Sequence, residues 1–185
     1  MVTWSGKLEL TSPAFSDGGE IPRECGYKNG NQKPSLRITV DGGKELGATG
    51  IDSLALIMDD PDAMEAVGKV WVHWVVWHII PEENDYASGT RHDEIENLFM
   101  DRSEGFSLKG KPHTDRYYEG MTDFDERGYG GPAPPDKRHT YVFKLYALDC
   151  KELTCAEPKA TKADVEKAME GHIIEQATLT GTYAP

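Results

Sequence analysis

Two carboxylates, two histidines and a phenol in this chain have the types and spacings that recognition of an anion needs. The segment Asp59-Asp60-Pro61-Asp62-Ala63 follows an apolar run and offers Asp60 and Asp62. Trp71 and His73 stand two apart in the next apolar run, and His139 and Tyr141 stand two apart in a third. Side chains two apart along a strand share a face, so each pair can serve one site. A carboxylate beside a histidine fixes the imidazole tautomer and raises its pKa. The remaining ring N–H then points at an acceptor, which suits a phosphate or carboxylate group. Pro132-Ala133-Pro134-Pro135 precedes the third run. Proline fixes φ and has no N–H, so this stretch makes a rigid wall. A slot between Trp71, Pro132 and Tyr141 fits a small headgroup.

Each of these residues also has a plainer reading. Taken singly, His73 and His139 read as satisfied core histidines; taken with Asp60 and Tyr141 they read as a pocket. Asp59 is assigned to a turn or cap. Asp62 is placed equally as a brace bonding its own loop and as a direct contact. Tyr183 either closes the pocket or is an edge-strand aromatic. Asp60, His73 and His139 have the composition of a two-histidine, one-carboxylate metal site. A slot lined by tyrosine and proline suits an anion better, so no metal and no cofactor is expected. The chain has neither a Gly-rich nucleotide loop nor a G-x-S-x-G elbow. It is therefore read as a binding protein rather than an enzyme, with acid–base hydrolase or lyase chemistry, or protease inhibition through a surface loop, as the alternatives.

The elements that must position these residues read as strands separated by turns. Residues 7–10 and 36–40 alternate, the latter running into a turn at 41–43. Residues 53–58 form a continuous apolar run, hence a buried strand. In the strand 70–80, ended by Pro81, alternation puts Trp71, His73, Val75 and Trp77 on one face. Val72, Trp74, Val76 and His78 fall on the other, which keeps His78 out of the site. In the strand 138–148, His139, Tyr141, Phe143 and Leu145 face one way. Thr161 and Asp164 form a capping box for a helix over 162–170 carrying Val165, Ala168 and Met169 on one side. A last strand covers 173–182. The polar stretch 82–127 reads as a long loop with a short helix near 93–100. His92 and His113 are assigned to solvent within it, and His172, after Gly171, to structure.

The 185 residues fit one domain with a sizeable core. The balance of 20 basic against 32 acidic residues, net −12, is the reverse of a nucleic-acid footprint. No apolar run reaches bilayer length and no secretory leader is read at the N-terminus, so a cytoplasmic location is expected. Cys25, Cys150 and Cys155 form no CxxC and read as free thiols.

In order along the chain, DDPDA, WVHWVV, GMTDFDERGYGGPAPP and HTYVFKLYALD resemble the phosphatidylethanolamine-binding protein family, in its bacterial and archaeal, Raf kinase inhibitor-like branch. FSDGGEIP and GHIIEQATLTGTY extend the likeness over nearly the whole chain. The resemblance implies a mainly β fold, an antiparallel Greek-key β-sandwich with a few helices, ending in a C-terminal helix and strand. It implies a pocket formed by Asp60, Asp62, Trp71, His73, Gly131, Pro132, Pro134, His139 and Tyr141. It also implies a small anionic ligand (phosphate, phosphorylethanolamine-like or carboxylate) and inhibition of a serine protease or kinase. The oligomeric state is left open, a homodimer included. Against the family pattern, Met64 replaces a proline, Thr140 an arginine and Ala133 a cysteine, the stretch near Asn29 lacks a Cys-Asp-Gly pattern, and residues 91–116 read as an insertion. Loss of the arginine removes an always-charged partner for carboxylates.

Overall fold

The computed structural model describes residues 7–40, 50–80, 117–155 and 159–185, with the backbone of 94–95 and 113–114. In chain order its strands are β1 (Leu8–Thr11), β2 (Gly19–Glu20), β3 (Arg37–Val40), β4 (Ser53–Asp60), β5 (Trp71–Ile79), β6 (Glu94–Ile95), β7 (His113–Thr114), β8 (Tyr117–Glu119), β9 (His139–Leu148) and β10 (Ile173–Tyr183). Two α-helices occur among the described residues, α1 (Ala63–Val67) and α2 (Lys162–Met169), with a 3-10 turn at Arg23–Cys25. A small sheet has the order β1-β3-β6 and a large one β2-β10-β9-β4-β5-β8-β7. The chain is thus mainly β, as expected. One pair departs from the antiparallel expectation: β2 runs parallel to β10.

β4 is buried along all eight residues, which explains its unbroken apolar run: a central strand covered on both faces has no polar side. On its inner face Leu54, Leu56 and Met58 join Phe143 and Leu145 of β9 against Leu8, Leu10, Ile38 and Val40 of the small sheet. On its outer face Ala55 and Ile57 join Val75, Trp77 and Leu148 against Val165 and Met169 of α2. Thr161 and Asp164 form the reciprocal cap that starts α2.

Two irregularities in the β4–β5 pairing change which β5 side chains share a face. The register shifts between Met58↔Trp74 and Asp59↔Val72, and again between Leu54↔Ile79 and Leu56↔Val76. A bulge leaves one residue unmatched and reverses the parity beyond it. Strict alternation is therefore corrected. His73 touches Tyr141 on the inner face, where Trp74 and Val76 also pack, while Val75 and Trp77 lie on the outer face. His78 takes a positive φ of 56°, stacks on Tyr118 and bonds the Lys151 carbonyl at 2.7 Å, away from His73.

Asp59 is neither a turn nor a cap residue. β4 continues through Asp60, so Asp59 points to the outer face, where one oxygen accepts from Lys144 at 2.9 Å and Lys162 at 2.7 Å. Glu94–Ile95, placed in a helix by sequence, is strand β6 paired with β3. Most of that expected helix, most of the insertion at 91–116, His92, the turn at 41–43 and Pro81 lie outside the described residues.

Candidate anion-binding site

β4 ends, and β5 and β9 begin, at the same edge of the large sheet. Register places Asp60 opposite Trp71 on β5. With Asp59 paired to Val142 on β9, Asp60 also lies beside Tyr141. His139, the first residue of β9, is paired to Tyr183, the last of β10. Three antiparallel strands thus bring residues from distant parts of the chain to one place.

The centre is a carboxylate–imidazole–carboxylate row. His139 is 0% exposed. Its Nδ1 lies 2.7 Å from Asp60 Oδ2 and its Nε2 2.9 Å from Asp136 Oδ1. A carboxylate only accepts, so both contacts are hydrogen bonds only when both ring nitrogens carry protons. Burial opposes that charge; the bonds to Asp60 and then Asp136 outweigh it and hold the His139 pKa above its ordinary value. Asp60 is itself 3% exposed, and its other oxygen accepts from the Ala63 N–H at 3.0 Å. One buried carboxylate therefore accepts the first N–H of α1 and anchors His139.

His73 is different. Its Nδ1 meets the Gly130 carbonyl at 2.7 Å, and the Gly130 N–H donates back to the His73 carbonyl at 2.8 Å. Burial pushes the His73 pKa below its ordinary value, against the Gly130 bond and the charge of Asp60. A neutral imidazole that donates from Nδ1 has a bare lone pair at Nε2. The two rings are therefore unlike: the surroundings of His139 favour its charged form and those of His73 its neutral form. In an NMR titration, His139 should inflect above the ordinary value of about 6.5 and His73 below it. The reverse order would contradict the row.

Around this pair lie two buried donors without a well-formed hydrogen bond among the described residues. The Tyr141 hydroxyl and the Trp71 Nε1–H are buried without a hydrogen-bond partner among the described residues. The Asp60 carboxylate and the Ala133 N–H both approach the phenol, without a hydrogen bond of normal geometry. Burial, then the Asp60 charge, raises the Tyr141 pKa, so it remains a donor. A run of ring contacts links the two: Trp71 to Phe124 at 5.4 Å, Phe124 to His73 at 5.4 Å, and His73 to Tyr141 at 5.1 Å. Tyr27 stacks on Phe124 at 4.2 Å.

The wall is laced to a distant loop. Gly131, Pro132 and Pro134 are buried. The Gly131 N–H donates to Asn31 Oδ1 at 2.7 Å, Asn31 Nδ2 donates to the Tyr129 carbonyl at 3.0 Å, and the Tyr27 N–H donates to the Pro132 carbonyl at 2.9 Å. Asp62 is a brace, but across to β9 rather than within its own loop: its carboxylate accepts from the Thr140 N–H at 2.7 Å. The Tyr183 hydroxyl donates to the Arg23 carbonyl at 2.9 Å and accepts from Asn29 at 2.7 Å, so it holds the loop behind Gly131. Asp136, Asn31 and Phe124 escaped sequence reasoning; Phe124 alone stood within a quoted family motif.

Asp60, His73 and His139 do not converge on one point as metal ligands. Among the described residues, the trio whose ligand atoms come within 4.8 Å of one another is Asp149, Cys150 and His172, beyond the opposite end of β9.

A family model described as phosphatidylethanolamine-binding protein matches residues 11–184. A UPF0098 protein of Methanothermobacter thermautotrophicus is 36% identical, with 95% of this chain and 98% of that protein covered. A homologue from Chlamydia trachomatis of known crystal structure is 30% identical, covering 97% of this chain and 98% of that one at a TM-score of 0.69. E. coli YbcL, described as a new member of the mammalian family, is 26% identical, covering 95% and 97% at 0.64.

Proposed function

The chain belongs to the phosphatidylethanolamine-binding protein family, and from that premise we propose that it binds a phosphate- or carboxylate-bearing group at the edge where β4 ends and β5 and β9 begin. A small binding protein is what the family membership supports. The observation that carries the finer reading is the pair of buried, unpartnered donors, Tyr141 Oη–H and Trp71 Nε1–H, beside the buried imidazolium of His139. A buried donor left unpaired costs about 1–3 kcal/mol, and binding an acceptor removes that cost. An anion supplies such an acceptor and also meets the positive charge.

Acid–base turnover fits less well. His139 has a carboxylate on each ring nitrogen, and among the described residues neither His73 nor His139 bonds a hydroxyl or thiol that it could activate.

The test is Tyr141→Phe. This exchange removes one buried hydroxyl with its loose contacts to Asp60 and the Ala133 N–H. Phosphate or phosphorylethanolamine affinity, read from ring-proton shifts, should fall about tenfold, the equivalent of one hydrogen bond to a charged group. Folding stability should hold or rise slightly, because a buried unsatisfied group is lost. Unchanged affinity would remove Tyr141 from the site, and silence of both histidines at millimolar ligand would end the anion reading.

A further inference from the structure

The row Asp60–His139–Asp136 has two unlike ends. Asp60 is 3% exposed, sits inside β4, and has its second oxygen committed to α1. Asp136 stands on the exposed stretch between Pro134 and β9, with its side chain 48% exposed. Among the described residues its side-chain partner is His139, and the backbone N–H groups of Lys137 and Asp136 also act on its carboxylate. Displacing Asp60 from His139 would open the core; displacing Asp136 takes a rotation into solvent and the loss of its contacts to the exposed N–H groups of Lys137 and Asp136. The outward N–H of the buried imidazolium is therefore already occupied by an anion, and that anion is held from the surface side alone.

We propose that Asp136 is an internal stand-in for the ligand. An external phosphate or carboxylate takes its place on His139 Nε2, and competition from Asp136 sets how tightly any such anion is held. The inference rests on the anion-binding reading above and adds to it the residue that tunes the site. The other charges nearby explain why a competitor is needed for control rather than for charge balance. Asp60 already neutralises His139 from the inner side, Lys137 pairs with Glu65, and Arg138 reaches toward Glu20 at 3.3 Å. The His139 bond also holds the Asp136 carboxyl below the usual range, as expected of an ion pair that exchange would break.

Asp136→Ala removes the competitor, and Asp136→Asn leaves a weaker, uncharged one. Because the pair is half in solvent, the expected gain is modest: phosphate affinity should rise about fivefold in Asp136→Ala, with Asp136→Asn between it and the wild type. Acetate should gain by the same factor, since each must displace the same group. In the wild-type protein, the Asp136 carboxyl carbon should titrate at its depressed value without ligand and return to the ordinary range when phosphate saturates the site. Equal or weaker binding by Asp136→Ala overturns the proposal, as does a carboxyl titration that stays depressed with phosphate bound. If neither protein binds phosphate at millimolar concentration, the anion-site reading itself fails and the proposal falls with it.

Discussion

Asp60→Ala is expected to lower the unfolding free energy by about 3 kcal/mol, the scale of breaking a buried ion pair by deleting one partner. Two losses coincide. Among the described residues His139, fully buried, keeps the half-exposed Asp136 as its counter-charge, and its inner N–H loses its acceptor. α1 loses the oxygen that accepts the N–H of its first residue, Ala63, a hydrogen bond worth about 1 kcal/mol. Asp60→Asn keeps the shape and an acceptor oxygen and should cost roughly half as much. Urea unfolding checks both variants, with the midpoint moving at constant slope. The sign with pH follows from His139, whose folded pKa is raised. The stability it contributes is fully present below its unfolded value of about 6.5 and is lost as pH rises through the folded value. The gap between wild type and Asp60→Ala should therefore narrow, without closing, from pH 6 toward pH 8. A cost below about 1 kcal/mol at acid pH would show that Asp60 is not the inner anchor.

Pattern alone reached the longer strands, but not the short β2, β6, β7 and β8 or the wiring between the candidate residues. The run from Trp71 to Ile79 is apolar on both faces, so nothing in it marks the residue at which a bulge reverses parity; register is legible only where one face is polar. Trp71 and His73 lie on the Tyr141 side because of that bulge, and the same bulge sends Val75 and Trp77 away. Asp60 was legible as the carboxylate beside a histidine, yet its partner is His139, fixed by β4–β9 register across some eighty residues of chain. The role of Tyr183 depends on its pairing with His139 across β10, and its hydroxyl is consumed by Arg23 and Asn29. Asp136 was invisible for a simpler reason. An acidic residue in a proline-rich turn is ordinary until a buried imidazole is found 2.9 Å away.

Gly131→Ala tests whether the wall of the site depends on a close approach of two backbones. A Cβ at residue 131 would lie 2.0 Å from the Cys25 carbonyl oxygen and 2.8 Å from the Tyr27 nitrogen. Neither atom can be moved by a rotamer change. The Cys25 carbonyl also accepts from the Tyr129 hydroxyl at 3.0 Å, and the Tyr27 N–H is committed to the Pro132 carbonyl. One added methyl therefore forces the 25–31 loop and the 129–134 wall apart, and the bonds from Gly131 to Asn31 and from Tyr27 to Pro132 break with the separation. The expected cost is about 3 kcal/mol, the upper range for overpacking a tight site. The consequence for binding follows through Gly130. Its carbonyl fixes the His73 tautomer and its N–H bonds the His73 carbonyl, so a displaced wall releases that ring. Well below the melting temperature, Gly131→Ala should show His73 titrating nearer the ordinary histidine value while His139, held from β4 and from Asp136, keeps its raised one. Phosphate shifts at His73 should be lost in the same samples. A variant that melts with the wild type and leaves the His73 titration in place would mean that the two loops are not in contact and that the wall does not hold His73.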